Sequence, residues 1–359
     1  MGFYSVAFGD NTTASGNHST AMGGFTTASG SGSTAIGSST TASGSASTAM
    51  GNITSASGSF STAMGGSTHA SGDYSTAMGG ITDASGGYST AMGNGTSASG
   101  VYSTAMGFNT TASSYYSTAM GYFTTASGSS STAIGGNTTA SGQLSTSIGY
   151  FTTASGDYST AIGRSTTASG NNSTALGNYV STNNHNGAFL IGDNSTTTVM
   201  NGTTPNNFRA RFDGGYRFYT SSDYTSSCAL SPGAFAWSTT SDKRLKENFE
   251  PVNGESFLQK ISALNLTSWN YKKQDPKTFR HYGPMAQDFY AAFGKDVYGT
   301  IGNDTTINSA DFAGVSFIAI QALEKRTALQ QQEHEKKMDV LKKEVDELKV
   351  LVNKLLSSK

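Results

Sequence analysis

Several kinds of residue are scarce in this chain of 359 residues, and each scarcity excludes a class of protein. Only 13% of the residues are charged and the formal net charge is −1, which argues against a basic nucleic-acid-binding protein and against disorder driven by charge. A single cysteine, Cys228, excludes an intrachain disulfide framework and a CxxC metal site. No apolar run approaches the roughly 18 residues of a membrane span, and no signal-peptide pattern follows Met1.

The few charges are unevenly distributed. Residues 1–178 contain five charged side chains, whereas residues 241–359 contain 18 Lys or Arg and 16 Asp or Glu. Hydrophobic residues make up 35% of the chain, below the share that is usual in globular proteins. Two regions held together by different forces are therefore expected, with a boundary between residues 179 and 240.

The neutral region is a repeat. An Ala or Ser, an apolar residue and a Gly recur every 14 residues, thirteen times from Ala7-Phe8-Gly9 to Ala175-Leu176-Gly177. Half a period later an Ala-Ser pair recurs twelve times, from Ala14-Ser15 to Ala168-Ser169. A short fixed period predicts a solenoid, because one unit cannot bury its own apolar side chain. Two Gly positions per period suit tight turns, so each coil is predicted to contain two short strands and two turns.

Side-chain alternation assigns the columns of the solenoid to faces. Thr20 and Met22 share one face of their strand and Ala21 lies on the other. We expect the column of Met, Ile, Leu or Phe to form the interior and the Ala columns to allow close approach. Because one large apolar residue per coil makes a thin core, each coil is expected to complete its core against other copies of the chain.

The Thr columns also suggest an ice-binding face, but neighbouring Thr residues point to opposite faces.

The alternating STAMG and TTASG segments of residues 5–178 resemble the head repeats of trimeric autotransporter adhesins of the Yersinia-adhesin type. This resemblance implies a mainly β fold, a left-handed parallel β-roll with a 14-residue repeat that assembles as a homotrimer. Such rods display variable side chains outward, and here five tyrosines recur in one column of the repeat. These tyrosines could form a spacer surface, or they could contact a host-surface glycan or protein receptor directly. The tyrosines are Tyr74, Tyr88, Tyr102, Tyr116 and Tyr158.

Residues 179–240 break the period and are predicted to form a small β connector. Residues 208–212 and 216–219 are predicted as two short strands around a Gly-containing turn. Three arginines among these aromatics favour solvated strand faces over a nucleic-acid site, because the chain is neutral overall. They are Arg209, Arg211 and Arg217.

A processing site is predicted where the neutral and charged regions meet. Residues 237–248 resemble the start of the intramolecular chaperone domain of phage endosialidase tailspikes and of myelin regulatory factors. Residues 280–288 are similar to the family's His-x-Gly-x-x-Ala-Gln-Glu segment, and residues 315–323 to its closing helix. The resemblance implies a domain that trimerises, guides folding of the preceding fibre and cuts itself off, here between Thr240 and Ser241.

The residues around that bond are consistent with the implied reaction. A Ser hydroxyl needs a nearby base, and a lysine amine can serve when burial or neighbouring cations lower its pKa. A helical turn beginning near Asp242 and capped by it would bring Lys246 back toward Ser241. We therefore assign Ser241 as nucleophile, Lys246 as general base and His281 as an orienting or proton-transfer group. In the alternative interpretation Ser241 and Asp242 only cap a helix and Lys246 is a solvated face residue.

The last helix carries a heptad seam that predicts a coiled coil, at Met338, Leu341, Val345, Leu348, Val352 and Leu355. The predicted domains are a β-roll over residues 1–178, the connector over 179–240, an α+β chaperone over 241–316 and the helix over 317–359. The whole is interpreted as a homotrimeric fibre tip, a virion tail fibre or a surface adhesin. It would be a serine peptidase that cleaves its own chain once and has no external substrate. We expect it to use no cofactor or metal, to bind no nucleic acid and not to insert into a membrane. The alternative is a non-cleaving adhesin with a permanent trimerisation domain.

Overall fold

A computed structural model describes residues 1–224 and 226–357. The chain divides into two compact units, Met1–Thr240 and Ser241–Lys359. In the described residues the first unit is built from β-strands and turns, whereas the second contains three α-helices and a two-stranded sheet.

The first unit is a parallel β-solenoid of about 13 coils, which confirms the predicted fold class. A coil contains a longer strand and a short one. The longer strands are Val6–Asp10, Thr20–Gly24, Thr34–Ser38, Thr48–Asn52, Thr62–Gly66, Thr76–Gly80, Thr90–Asn94, Thr104–Phe108, Thr118–Tyr122, Thr132–Gly136, Thr146–Tyr150, Thr160–Ala168 and Thr174–Ser181. The short strands are Thr13–Ala14, Thr27–Ala28, Thr41–Ala42, Ser55–Ala56, His69–Ala70, Asp83–Ala84, Ser97–Ala98, Thr111–Ala112, Thr125–Ala126, Thr139–Ala140 and Thr153–Ala154.

Each strand pairs in parallel with the equivalent strand of the next coil, in the register of the sequence repeat. Ala21 pairs with Ala35, and Met22 with Ile36. The ladder continues beyond residue 178, because Phe189–Gly192 pairs with both Thr174–Ser181 and Phe208–Arg211. Met200–Asn201 pairs with the end of Thr174–Ser181.

The interior of the solenoid differs from the expected one. Alanines of both columns are buried, Ala21 and Ala28 with 0% exposure, whereas Met22 is 39% and Ile36 37% exposed. In the single chain the large apolar column therefore lies outside the coil, half-buried in most coils, and the expectation that it forms the interior of the coil is wrong. Along the regular coils the buried side chains are Ala, Ser and Thr, and larger residues, Val180 and Leu190, are buried only at the end of the solenoid.

Hydroxyl side chains complete this interior. Thr26 and Ser33 represent two fully buried columns that continue along the solenoid. Most of these Thr hydroxyls have no hydrogen-bond partner among the described residues, but Thr152 Oγ1 lies 2.8 Å from Ser147 Oγ, where Ser replaces the Ala of the other coils. The core is thus held by the backbone ladder and by close packing of small groups, with little large apolar area buried.

Glycine also has a different role from the predicted one. Gly23 has φ +124° within a strand, and a Cβ atom there would lie 1.9 Å from the carbonyl oxygen of Gly37. The left-handed turn positions are mostly occupied by other residues, such as Phe25 at φ 57° and Tyr74 at φ 60°. Glycine is therefore required for close approach of successive coils, and the turns accept larger side chains.

The two strands predicted around residues 213–215 are present, but they do not pair with each other. Phe208–Arg211 belongs to the parallel ladder, whereas Tyr216–Tyr219 pairs antiparallel with Ser227–Leu230. Ser227–Leu230 also pairs antiparallel with Ser238–Thr239. Phe208–Arg211 is thus the last strand of the ladder.

The second unit contains a single 3₁₀ turn at Lys243–Leu245 and three α-helices in the described residues. These helices are α1 (Gly254–Ala263), α2 (Ala286–Phe293) and α3 (Ser309–Ser357). The sheet consists of Thr267–Trp269 antiparallel to His281–Gly283.

Few side chains of the second unit are buried. In the part of the chain that the structure describes, its buried apolar residues are Phe289 and Phe293 of α2, Ala322 of α3 and Pro284. Helices α1 and α3 approach closely, because a Cβ atom at Gly254 would lie 2.7 Å from that of Ala322. The predicted heptad seam lies on α3 and is exposed in the single chain, Leu348 by 60%.

Candidate processing site

The 3₁₀ turn positions two of the predicted site residues. Asp242 is its N-cap and accepts a hydrogen bond from the backbone N–H of Arg244 at 2.9 Å. The chain then returns, so that Lys246 Nζ donates to Ser241 Oγ at 2.8 Å. A capped 3₁₀ turn of three residues, Lys243–Leu245, therefore brings Lys246 back to Ser241, as the sequence analysis predicted for a helical turn.

Arg244 is engaged with Asp242. Its guanidinium donates to the Asp242 carboxylate, with Nη2 2.6 Å from Oδ2. This guanidinium and then the backbone N–H of Arg244 hold the pKa of Asp242 below its usual value. Lys243 Nζ lies 5.7 Å from the ring centroid of Phe249. The two cations that precede Lys246 on this turn, Lys243 and Arg244, thus each contact another side chain.

Ser241 and Lys246 are exposed in the single chain. The hydrogen bond between them has the ammonium as donor, whereas general-base catalysis requires a neutral amine that accepts the hydroxyl proton. The two side chains are in reach of each other, and the environment that would favour proton transfer is not formed by one chain alone.

His281 lies elsewhere in the second unit, on His281–Gly283. Its Nε2 is 3.3 Å from Gln274 Oε1, and its ring stacks on Trp269 with centroids 4.6 Å apart. Its described hydrogen bond is thus to Gln274, and neither Ser241 nor Lys246 is among its partners there. Sequence reasoning missed Gln274, because a glutamine seven residues before a histidine carries no pattern.

Thr240 precedes the candidate nucleophile and is anchored in the first unit. Its backbone N–H donates to the carbonyl of Ser227 at 3.2 Å, and the two hydroxyl oxygens are 3.1 Å apart. These bonds extend the pairing of Ser227–Leu230 with Ser238–Thr239. The carbonyl that Ser241 would attack therefore belongs to a residue held at the end of a sheet.

Within residues 1–224 and 226–357, no cluster of three or more His, Cys, Asp or Glu side chains has the arrangement of a metal site. None of the helices described in those ranges has both the length and the hydropathy to span a bilayer.

Comparison with protein families agrees with the resemblances seen in the sequence. The chain matches the family models of YadA head domain repeats and of the chaperone of endosialidase, and no curated protein matches it. The head repeats imply trimeric assembly, and their adhesin family is typical of a cell-surface or extracellular location. The head repeat model matches residues 2–26, 28–52, 56–80, 84–110, 112–138, 140–166 and 154–179, and the chaperone of endosialidase model matches residues 241–298.

Proposed function

We propose that this chain is the homotrimeric shaft of a virion tail fibre or surface adhesin, carrying a chaperone that removes itself after assembly. The observation that carries the processing step is the 2.8 Å contact between Lys246 Nζ and Ser241 Oγ. The matches to head repeats and to a chaperone of endosialidase support the trimeric fibre and its helper domain.

The proposed reaction uses only the chain and one water molecule. Lys246, as the neutral amine, accepts the hydroxyl proton while Ser241 Oγ attacks the carbonyl carbon of Thr240. The C–N bond breaks, the proton passes to the departing amine, and an ester joins Thr240 to the Ser241 side chain. Water then hydrolyses the ester, giving a carboxylate at Thr240 and a free amine and hydroxyl at Ser241. His281 is proposed as a proton-transfer or orienting group, a role that its contact with Gln274 leaves open to test.

Assembly would control this reaction. Since both dyad side chains are exposed in one chain, the proposal requires neighbouring protomers to exclude water from them. Burial disfavours the charged form of a lysine, so covering the site would promote the neutral base. Cleavage would then follow trimerisation and would not occur in an isolated chain.

The shaft has a physical reason to need a helper. Parallel pairing joins residues 14 positions apart in every coil, and the edges stay unpaired until the stack is complete. The exposed seam of α3 can gather three chains first, which raises their local concentration to about millimolar. Loss of the chaperone domain after assembly would remove the pathway by which the three chains could separate again, and the kinetic stability of the shaft would rise.

Gel electrophoresis and intact mass of freshly expressed protein test the proposal. Wild type should separate into a fragment ending at Thr240 and one beginning at Ser241. Ser241→Ala should give one full-length species, and Lys246→Met should slow cleavage by at least about a hundredfold, the range found for loss of a general base.

Lys243→Met is the matched control, because Lys243 lies on the same turn and contacts Phe249. It should cleave as wild type does. Continued cleavage of Ser241→Ala at the same bond would refute the assigned nucleophile, and equal slowing by Lys243→Met would refute the assigned base.

The exposure of the dyad favours a second candidate, a permanent trimerisation domain that never cleaves. In that case Ser241 and Asp242 serve as caps of the 3₁₀ turn, as the hydrogen bond from Arg244 to Asp242 illustrates. A trimer that keeps its full length through prolonged incubation across about pH 6 to 9 would establish this function.

A further inference from the structure

Five aromatic rings stack on one edge of the solenoid, one from each of five successive coils. Neighbouring ring centroids are 4.8 to 5.1 Å apart and the interplanar angles are 2° to 13°. We call this set the aromatic ladder. At roughly 4.8 Å per coil it is about 20 Å long. Its members are Phe60, Tyr74, Tyr88, Tyr102 and Tyr116.

The residues of the aromatic ladder have a backbone conformation that is unfavourable for aromatic residues. All five have φ between 55° and 60°, the left-handed region, which costs a residue with a Cβ atom about 1–2 kcal/mol. The same column accepts Gly32 and Ser130, at φ 68° and 55°. Ring stacking at about 0.5–1.5 kcal/mol per pair offsets this cost only in part. The rings therefore call for an explanation in terms of what their side chains contact.

The stack leaves a defined surface. Because each inner ring is covered on both faces by its neighbours, its edge and hydroxyl group face solvent. Accordingly, between 48% and 59% of the surface of each of these residues is exposed in the single chain. Four phenol groups, each a donor and an acceptor, thus form a row with one group per coil.

The side chains that precede the rings differ in size, and the largest is Tyr115, whose ring centroid lies 6.4 Å from that of Tyr116. The residue before each ring is Ser59, Asp73, Gly87 or Val101 for the first four members. Asp73 and Asp83 are the charged residues of residues 59–116. A ligand lying along the ladder meets ring edges, hydroxyl groups and the side chains that precede the rings, and its charge should not be negative.

A regular ligand suits such a regular surface. In an extended β-1,4-linked glycan the rise per sugar is close to the rise per coil of a β-solenoid, so each sugar can meet one ring. An extended peptide advances about 6.6 Å per two residues and soon loses register with the rings. Because the faces of the inner rings are covered by their neighbours, a sugar would meet the row of phenol groups, with which its own hydroxyl groups can exchange hydrogen bonds.

We propose that the aromatic ladder binds a neutral, extended β-linked glycan along the shaft, with one sugar on each ring. The inference rests on the proposed function as a fibre or adhesin, and it names the class of receptor. The isolated Tyr158 of the same column would contribute little, because it contacts at most one sugar.

Calorimetric titration of the purified trimer with cellohexaose, a neutral β-1,4-linked hexasaccharide, tests the inference. Maltohexaose has the same composition but a curved α-linked chain, and a β-1,4-linked mannuronate hexamer is extended but anionic. We expect binding of cellohexaose, with affinities for the other two at least about tenfold weaker. Absence of cellohexaose binding, or equal binding of maltohexaose, would overturn the proposal.

Two matched variants locate the site. Tyr88→Ser interrupts the ladder at its centre, and Ser130 shows that serine is accommodated at this turn. Tyr158→Ser makes the same change outside the ladder. We expect Tyr88→Ser to lower the affinity for cellohexaose about tenfold and Tyr158→Ser to leave it unchanged. Equal effects of the two variants would refute the ladder as the binding surface.

Failure of this inference is distinguishable from failure of the proposed function. Light scattering and gel electrophoresis report trimerisation and cleavage without any ligand. A cleaved trimer that does not bind cellohexaose refutes the glycan site and leaves the proposed function standing. Tyr88→Phe, which keeps the stack and removes one hydroxyl group, should fall between wild type and Tyr88→Ser.

Discussion

The two units of this chain are stabilised in opposite ways. In the solenoid the interior alanines have 0% exposure and every coil is bonded to the next through its backbone, with hardly any charge. The second unit is highly charged and has few buried apolar residues, while the 49 residues of α3 expose their apolar seam. The shaft is therefore ordered by contacts between successive coils, whereas the second unit leaves most of its apolar side chains exposed in the single chain.

The largest effect should come from breaking the coil-to-coil contact of the shaft. Gly65→Ala places a Cβ atom 2.0 Å from the carbonyl oxygen of Gly79, at a backbone φ of +123°. We expect loss of about 4 kcal/mol or more of stability and disruption of the coils on both sides. Circular dichroism during thermal unfolding measures this loss.

The adjacent glycine is the control. Gly66→Ala introduces a Cβ atom with no heavy atom within 4 Å and at an ordinary φ. It should leave the melting temperature nearly unchanged. Similar melting curves for the two variants would show that coil spacing does not depend on glycine.

The next largest effect is expected from a change in the apolar seam of α3 in the second unit. Leu348→Asp puts a charge in the seam of α3 and should prevent trimerisation, because a buried unpaired carboxylate costs several kcal/mol. Light scattering should show monomers, and cleavage at Thr240 should be lost with them.

Lys343→Asp adds the same side chain to α3 away from the seam and should still give trimers. If Leu348→Asp remained trimeric, the seam would not be the assembly surface. If it were monomeric and still cleaved, assembly would not control the reaction.

A smaller effect concerns the hydroxyl groups inside the shaft. Ser147→Ala removes the partner of Thr152 and should cost about 1 kcal/mol. Ala133→Ser places a hydroxyl group five residues before Thr138, as Ser147 does for Thr152, and should stabilise the shaft by about as much. Denaturant unfolding measures both variants, and a destabilising Ala133→Ser would show that the interior has no room for the added oxygen.

The smallest effect is expected at the end of the parallel ladder. The backbone N–H of Asp213, followed by the hydroxyl group of Ser195, lowers the pKa of Asp193 to about 2. Because this pKa is depressed in the folded state, the ionised carboxylate adds stability above about pH 4, which is lost as the pH falls toward 2. Asp193 also pairs with Arg211 at 3.2 Å.

Asp193→Asn should therefore lower the melting temperature near neutral pH, with a difference from wild type that shrinks below about pH 4. Melting curves of both proteins over this pH range measure the difference. A difference that stays constant down to about pH 2 would exclude the carboxylate charge as its cause.

Much of this molecule was accessible from the sequence alone. The 14-residue period determined the coil, its two strands and their parallel register, because side chains that repeat at a fixed interval stack only when equivalent residues pair. The capping preference of Asp242 also predicted a turn that brings Lys246 toward Ser241, since capping depends on local geometry, and the two side chains are in contact. These features involve residues close in sequence or related by the repeat.

Other features were decided only by the tertiary structure. Alternation placed Ala21 and Met22 on opposite faces, but the narrow space inside the closed coil decided that alanine is interior. The left-handed turns occupied by Tyr74 and Tyr88, and the contact of their rings, depend on how successive coils superpose. Sequence periodicity specifies which residues are equivalent, whereas inside and outside are set by the distance between strands that the turns bring together.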